Sequence, residues 1–209
     1  MKISESLLWI LGTTLLACYF GGVYWGEHQR REGLASFTEL RQPAPYEWRR
    51  DTPLRAAPSV AAIPAGLPAV ADTSAADHAV VAVLRIPGIE LEVPVYHGTT
   101  EQSLRRGAGL VEGTARPGSA GNVGIAAHRD THFRGLKDVA IGDVVELGTP
   151  DQTRVYRITM LEVVGPGDVH VLDDTGEPTL TLVTCYPFYF VGNAPQRFIV
   201  RAIPAHGVL

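Results

Sequence analysis

The 209-residue sequence predicts a mainly β domain, a barrel or a sandwich, carried behind an apolar N-terminal segment. Three observations predict it. Short runs rich in β-branched and apolar residues recur at 80–86, 91–95, 123–127, 144–147, 155–164, 180–185 and 198–202. Turn signals stand between them, at Pro87-Gly88, Arg116-Pro117-Gly118, Gly142-Asp143 and Pro166-Gly167. In that region only 103–108 and 133–137 read as short helices, and no internal repeat is visible. Many short strands divided by Gly/Pro turns are the pattern of a closed or two-layered β fold.

The elements before the domain differ in kind. Residues 7–25 carry no charge. As a helix they would span roughly 28 Å, close to the ~30 Å hydrocarbon core of a bilayer. Trp9 at one end and Tyr24 and Trp25 at the other stand where interfacial aromatics gather. A cleaved signal peptide wants a small-x-small site after a shorter apolar core, and none follows. Leu15-Leu16-Ala17-Cys18 has the form of a lipobox, but the residues after Cys18 stay apolar. The expected organisation is a tail at 1–6, one transmembrane anchor at 7–25, a charged then Pro/Ala-rich linker at 26–78, and the folded domain at 79–209. A short helix is expected within the linker, around 30–41. Lys2 on one side of the anchor and Arg30 and Arg31 on the other leave its orientation to be set by function.

A net charge of −4 gives no basic footprint, so nucleic acid is excluded as a partner. There are two cysteines, and Cys18 lies in the apolar run. A disulfide would have to join the anchor to a strand, so Cys185 is expected to be a free thiol.

Thr and Leu alternate from Thr179 to Leu182, and Pro187 cannot donate to a ladder. The strand should therefore stop near Tyr186, leaving Cys185 on its last rung. A free Cys there is by itself more often a small buried hydrophobe than a nucleophile. Its company raises the stakes. His128 closes the apolar run 122–127 in the same way, and Arg197 opens the last strand after a loop holding Pro187, Gly192 and Pro195. That loop can return the chain beside the strand of Cys185. His28, His78, His97, His170 and His206 have no partner pattern and read as solvated. His132 makes a metal pair with His128 only given a helix and further ligands, which the sequence lacks, so no metal and no cofactor are expected. A thiolate is a nucleophile that nearby cations favour. A histidine can give and take the protons of acyl transfer, and an arginine can hold a developing oxyanion. Cys, His and Arg at three strand ends suffice for acyl transfer through a thioester, which is one possibility among several.

The motifs resemble those of the sortases. Thr181-Leu182-Val183-Thr184-Cys185 is similar to the TLxTC signature; Gly121 to Thr131 resembles the strand and loop that carry the family histidine; Pro195-Gln196-Arg197-Phe198-Ile199-Val200 resembles the arginine strand. Ile86-Pro87-Gly88-Ile89, Pro94-Val95 and Gly142-Asp143 are also family-like, and the match runs in order over residues 79–204. Cys185-Tyr186-Pro187-Phe188 and the run to Arg197 look closest to class D-like sortases of Gram-negative bacteria. Ala126-Ala127 departs from the more usual Ala-Gly, and His132 stands where an aromatic is common.

The resemblance implies a closed barrel of about eight strands and a membrane-anchored cysteine transpeptidase on the outer side of the bacterial cytoplasmic membrane. It implies that Cys185 attacks the Thr–Gly bond of an LPxTG-like C-terminal signal on an exported protein. His128 would be acid and then base, Arg197 would stabilise the oxyanion, and Thr184 and Ala127 would contact substrate. An amine-bearing acceptor would release the thioester. Three rivals remain. An L,D-transpeptidase would show a His just before Cys, where this chain has Thr184. A cysteine hydrolase would process the signal without ligation, and a tethered β module for adhesion or assembly would use no chemistry at all.

Overall fold

A computed structural model describes residues 5–41, 79–190 and 192–205. Eight strands are present: β1 (Val80–Ile86), β2 (Leu91–His97), β3 (Ala108–Leu110), β4 (Asn122–Ala126), β5 (Val144–Gly148), β6 (Thr153–Val164), β7 (Thr179–Tyr186) and β8 (Gln196–Pro204). They close into a barrel in the order β1-β2-β3-β4-β7-β8-β6-β5, with β5 pairing back onto β1. The β2–β3 and β4–β7 pairs are parallel and the other pairs antiparallel. Closure leaves no unpaired sheet edge.

Alternation decides which side chains fill the barrel. Ala82, Leu84 and Ile86 of β1, Leu91, Val93 and Val95 of β2, and Leu180 and Leu182 of β7 all enter one core. Val123 and Ile125 of β4 and Val200 and Ala202 of β8 join them. Successive residues point to opposite faces, so the intervening positions form the outer wall. That outer wall carries its own clusters: Val80, Val83 and Tyr96 on one side, Val164, Val171 and Ile199 on another.

Three expectations need correction. The helix placed at 103–108 is α2 (Glu101–Arg106), capped by Thr100, whose Oγ1 accepts from the Ser103 amide at 3.2 Å. Ala108 belongs instead to β3, a strand too short to show alternation. The expected helix at 133–137 is a 3₁₀ turn, Arg134–Asp138.

The larger correction is at the N-terminus. A single helix, α1 (Glu5–Arg41), runs through the expected anchor and on into the expected linker. Among the described residues no helix is long and apolar enough to cross a membrane. Gly12, Thr13, Thr14, Gly21 and Gly22 dilute the apolar run. Residues 26–41 are not a free linker, because α1 docks there on the outer face of β1 and β2. Phe37, 3% exposed, packs with Val80, Val83 and Tyr96, beside Leu34. Burial of one Phe is worth about 2–3 kcal/mol. Gly33 lets the helix approach closely: a Cβ there would meet the Tyr96 hydroxyl at 2.3 Å and Pro94 Cγ at 2.9 Å. Arg30 Nη1 donates to the Glu92 carbonyl at 2.9 Å while its Nε and Nη2 hold Glu27. The rest of the expected linker, 42–78, lies outside the described residues.

Hydrogen bonds from Arg30 and then Arg31 hold the Glu27 carboxyl at about 2, below its ordinary 4.5. The resulting stabilisation is fully present above 4.5 and is lost as the pH falls through about 2. Glu27 is partly exposed, so the effect is under about 1 kcal/mol. Glu27→Gln should lower stability at neutral pH, and the gap from the unsubstituted chain should close on acidification to pH 2. Denaturant titrations across that range measure it; a gap that persists at the acid end means the ion pair is not its source.

Candidate active site

Parallel pairing of β4 with β7 sets a fixed offset, from Asn122 opposite Thr179 to Ala126 opposite Val183. Two hydrogen bonds carry that alignment past the end of β4. The Ala127 amide donates to the Val183 carbonyl at 3.3 Å, and Thr184 Oγ1 donates to the Ala127 carbonyl at 2.8 Å. One residue further on, His128 stands level with Cys185. On the other side of β7, the antiparallel register places Cys185 directly opposite Arg197. Alternation then fixes direction: Leu180 and Leu182 point into the barrel, so Cys185 points out with Thr181 and Val183. By the same count Val123, Ile125 and Ala127 face in and His128 faces out. His128, Cys185 and Arg197 thus form one line across three adjacent strands, on the outer wall near the strand ends.

Cys185 is a free, half-buried thiol. The His128 side chain is 39% exposed, and its Nε2 lies 3.8 Å from Glu101 Oε2 at the start of α2. Arg197 spends Nη1 on the carbonyls of Ala194 and Gln196, at 3.2 and 2.9 Å. Among the described residues its Nε and Nη2 have no protein acceptor.

Two segments wall this line. One is the β6–β7 connection with its 3₁₀ turn, Val169–Leu172. Asn122 Nδ2 donates to the Val171 and Asp173 carbonyls, both at 3.1 Å, and Arg201 Nη2 donates to the Val171 carbonyl at 3.1 Å. Thr181 Oγ1 fixes Asn122 by donating to its Oδ1 at 2.7 Å. Gly124 completes the fit, since a Cβ there would meet Leu172 Cδ2 at 2.8 Å. The other wall is the β7–β8 connection. Its Phe188 is anchored on the inner side, packing with Tyr186 of β7 and Phe198 of β8 against the barrel core at centroid distances of 5.3 to 6.2 Å. Arg129 hydrogen-bonds its carbonyls.

The structure brings together the three chemistry-bearing residues expected from sequence. Thr184 and Ala127, expected to contact substrate, lie elsewhere: they are 2% and 6% exposed and bonded to each other. Thr184 shares the inward parity of Leu180 and Leu182, so it sits behind the line and sets its spacing. His132 stands apart from the three. Its Nε2 lies 3.2 Å from the Arg105 carbonyl, burial lowers its pKa, and no cluster of metal-ligating side chains occurs among the described residues. A cleft of about 830 Å³ between α1 and β2 is lined by Glu27, Arg30, Glu92 and His132, but by none of the three aligned residues. The three aligned residues lie apart from that cleft, on the outer wall where β4, β7 and β8 end. Sequence reasoning does not single out Arg129, which reads as half of a solvated Arg-Asp pair; its signal is its place immediately after His128.

Residues 84–205 match the family model of the sortase domain. The chain is 34% identical over 119 residues to Sortase D of Bacillus subtilis, covering 56% of this chain and 60% of that protein. It is 27% identical over 203 residues to Sortase A of Bacillus anthracis, covering 95% and 91%. A Sortase D5 transpeptidase of Clostridium perfringens superposes with a TM-score of 0.64 at 24% identity, over 85% of this chain and 99% of that one, a likeness of fold. Sortase A from Corynebacterium diphtheriae gives 0.57 at 32% identity, over 61% of each. These relatives come from Gram-positive bacteria.

Thr184→Val keeps the shape of the side chain but leaves the buried Ala127 carbonyl without its donor. A loss of about 1–3 kcal/mol is expected from denaturant unfolding, with Thr184→Ser close to the unsubstituted chain. Thr184→Val at full stability would remove the hydroxyl tie as the device that carries the register to His128.

Proposed function

The chain belongs to the sortase family, and on that premise we propose that it is a cysteine transpeptidase acting on an LPxTG-like signal near the C-terminus of an exported protein. The observation that carries this reading is the line of His128, Cys185 and Arg197 across β4, β7 and β8. The Cys185 thiolate attacks the carbonyl carbon of the Thr–Gly bond. Negative charge collects on the carbonyl oxygen, where the Nε and Nη2 donors of Arg197 hold it. Collapse breaks the C–N bond, and protonated His128 gives its proton to the departing Gly amine. A thioester remains on Cys185. An amine-bearing acceptor then attacks it, neutral His128 takes a proton from that amine, and Cys185 leaves as thiolate. The products are a new amide and the starting enzyme. Each step is served by a side chain of this chain.

The same proposal places the domain on the extracytoplasmic side of the bacterial cytoplasmic membrane, where exported clients pass. Attachment would run through α1, whose Trp9, Ile10, Leu11, Leu15, Leu16, Tyr19, Phe20, Tyr24 and Trp25 are all more than half exposed. Apolar surface of that extent is covered in most soluble chains. Likeness to a Sortase D supports a class D-like assignment. Placement in the branch found in Gram-negative bacteria rests on the run from Cys185 to Arg197.

Mass spectrometry of the protein with a library of LPxTG-like peptides tests the chemistry. A thioester adduct on Cys185 is expected, absent in Cys185→Ala, with amide product only when an amine is added. Water alone as the acceptor in both arms would make the protein a hydrolase. Arg197→Lys keeps the charge and loses the fork, so thioester formation should slow on the order of a hundredfold; near-normal turnover would end the oxyanion role.

Membrane attachment has its own test. The full chain should sediment with membranes, and deletion of residues 1–26 should release it with α1's docked half intact. A full chain recovered in the soluble fraction would exclude attachment through α1.

A further inference from the structure

Arg129 follows His128 directly, yet its side chain is only 6% exposed. A buried guanidinium is costly unless its donors and its charge are both answered. Here both are. Nη1 donates to the Pro187 carbonyl at 2.8 Å and Nη2 to the Phe190 carbonyl at 2.9 Å. Nε and Nη2 also donate to the two carboxylate oxygens of Asp130, at 2.9 and 3.0 Å. One planar group thereby joins the loop that carries His128 to the connection that starts two residues after Cys185.

The arrangement is specific to arginine. Its rigid fork reaches a carboxylate on one edge and two main-chain carbonyls on the other, whereas a lysine ammonium offers a point charge. Asp130 sets the orientation of the fork, and the hydrogen bonds from Arg129 hold the Asp130 carboxyl below its ordinary range. The two carbonyls come from a loop outside the strand ladder, which the ladder does not position. That loop presents Tyr189, 76% exposed and 5.7 Å from the Arg134 guanidinium, and Phe190, 42% exposed.

We propose that Arg129 is a positioning residue of the active site: its guanidinium clamps the Pro187 and Phe190 carbonyls to the His128 loop, and so sets both the alignment of Cys185 with His128 and the placement of the aromatic wall that meets the peptide. This rests on the transpeptidase reading for the peptide, but the alignment of thiol and imidazole is a property of the protein alone. Two readouts follow. One is the pH profile of Cys185 alkylation by iodoacetamide, which needs no substrate. The other is thioester formation with an LPxTG-like peptide, resolved into kcat and KM.

The experiment compares the full chain with Arg129→Lys and Asp130→Asn, each checked for a native circular dichroism spectrum. Misplacement of reacting groups by an ångström costs about a hundredfold. Arg129→Lys should lose on the order of that factor in kcat/KM and shift the alkylation profile; Asp130→Asn, which loosens the fork without removing it, should do the same by about tenfold. If Arg129→Lys does not fold, Asp130→Asn decides. Folded variants with the unsubstituted alkylation profile and peptide kinetics overturn the inference. Failure of the unsubstituted chain to form a thioester, with the alkylation shift still present, overturns the peptide reading and leaves the clamp standing.

Discussion

The site depends on strand register. A β-ladder has a side-chain period of two, so a slip of one residue between β4 and β7 would turn His128 into the core and bring Ala127 to the surface. The barrel prevents this by filling its interior from both strands at once, with Val123 and Ile125 facing Leu180 and Leu182. The hydrophobic pattern thus selects one pairing, and the pairing delivers an imidazole and a thiol to the same level. The antiparallel partner β8 adds the guanidinium by the same rule.

What the ladder cannot place, buried polar groups do. Asn122 and Arg201 meet the Val171 carbonyl on one side of the groove, and Arg129 meets Pro187 and Phe190 on the other. In each case a buried or half-buried side chain answers the main chain of a loop that no strand pairs. A buried donor with no partner is expensive, so each loop is held as firmly as the donor is desolvated. Leu172 lying against the bare backbone of Gly124 adds a contact that any larger residue would push apart.

Much of this was legible in the sequence, and for physical reasons. The strands of Leu84, Ile125 and Leu182 announce themselves because alternation is the requirement of a wall buried on one face. Cys185 and Arg197 were legible because Pro187 and Pro195 mark where pairing must stop and resume. Ala108–Leu110 was not, since three residues carry no period. Thr184 and Ala127 were seen near the chemistry but on the wrong side of it. Their parity, the same as that of Leu182 and Ile125, holds the answer, and a motif read as a string of letters hides it. Arg129 and the docked half of α1 escaped for a shared reason: charge in a sequence reads as exposure. Phe37 and Leu34 sit among Arg30, Arg31, Glu32 and Glu39, and only a partner surface shows that one face of the helix is apolar.

The notch at Gly33 has a mechanical consequence. Because Tyr96 seats against a helix with no side chain at that position, α1 lies close on the β1–β2 wall, and its first residues, 5–17, extend roughly 20 Å beyond the cleft it forms there. A loose string would let the groove wander through a hemisphere of headings. Were attachment to run through α1 as proposed, a helix seated on the β1–β2 wall would hold the line of His128, Cys185 and Arg197 at one heading to the bilayer.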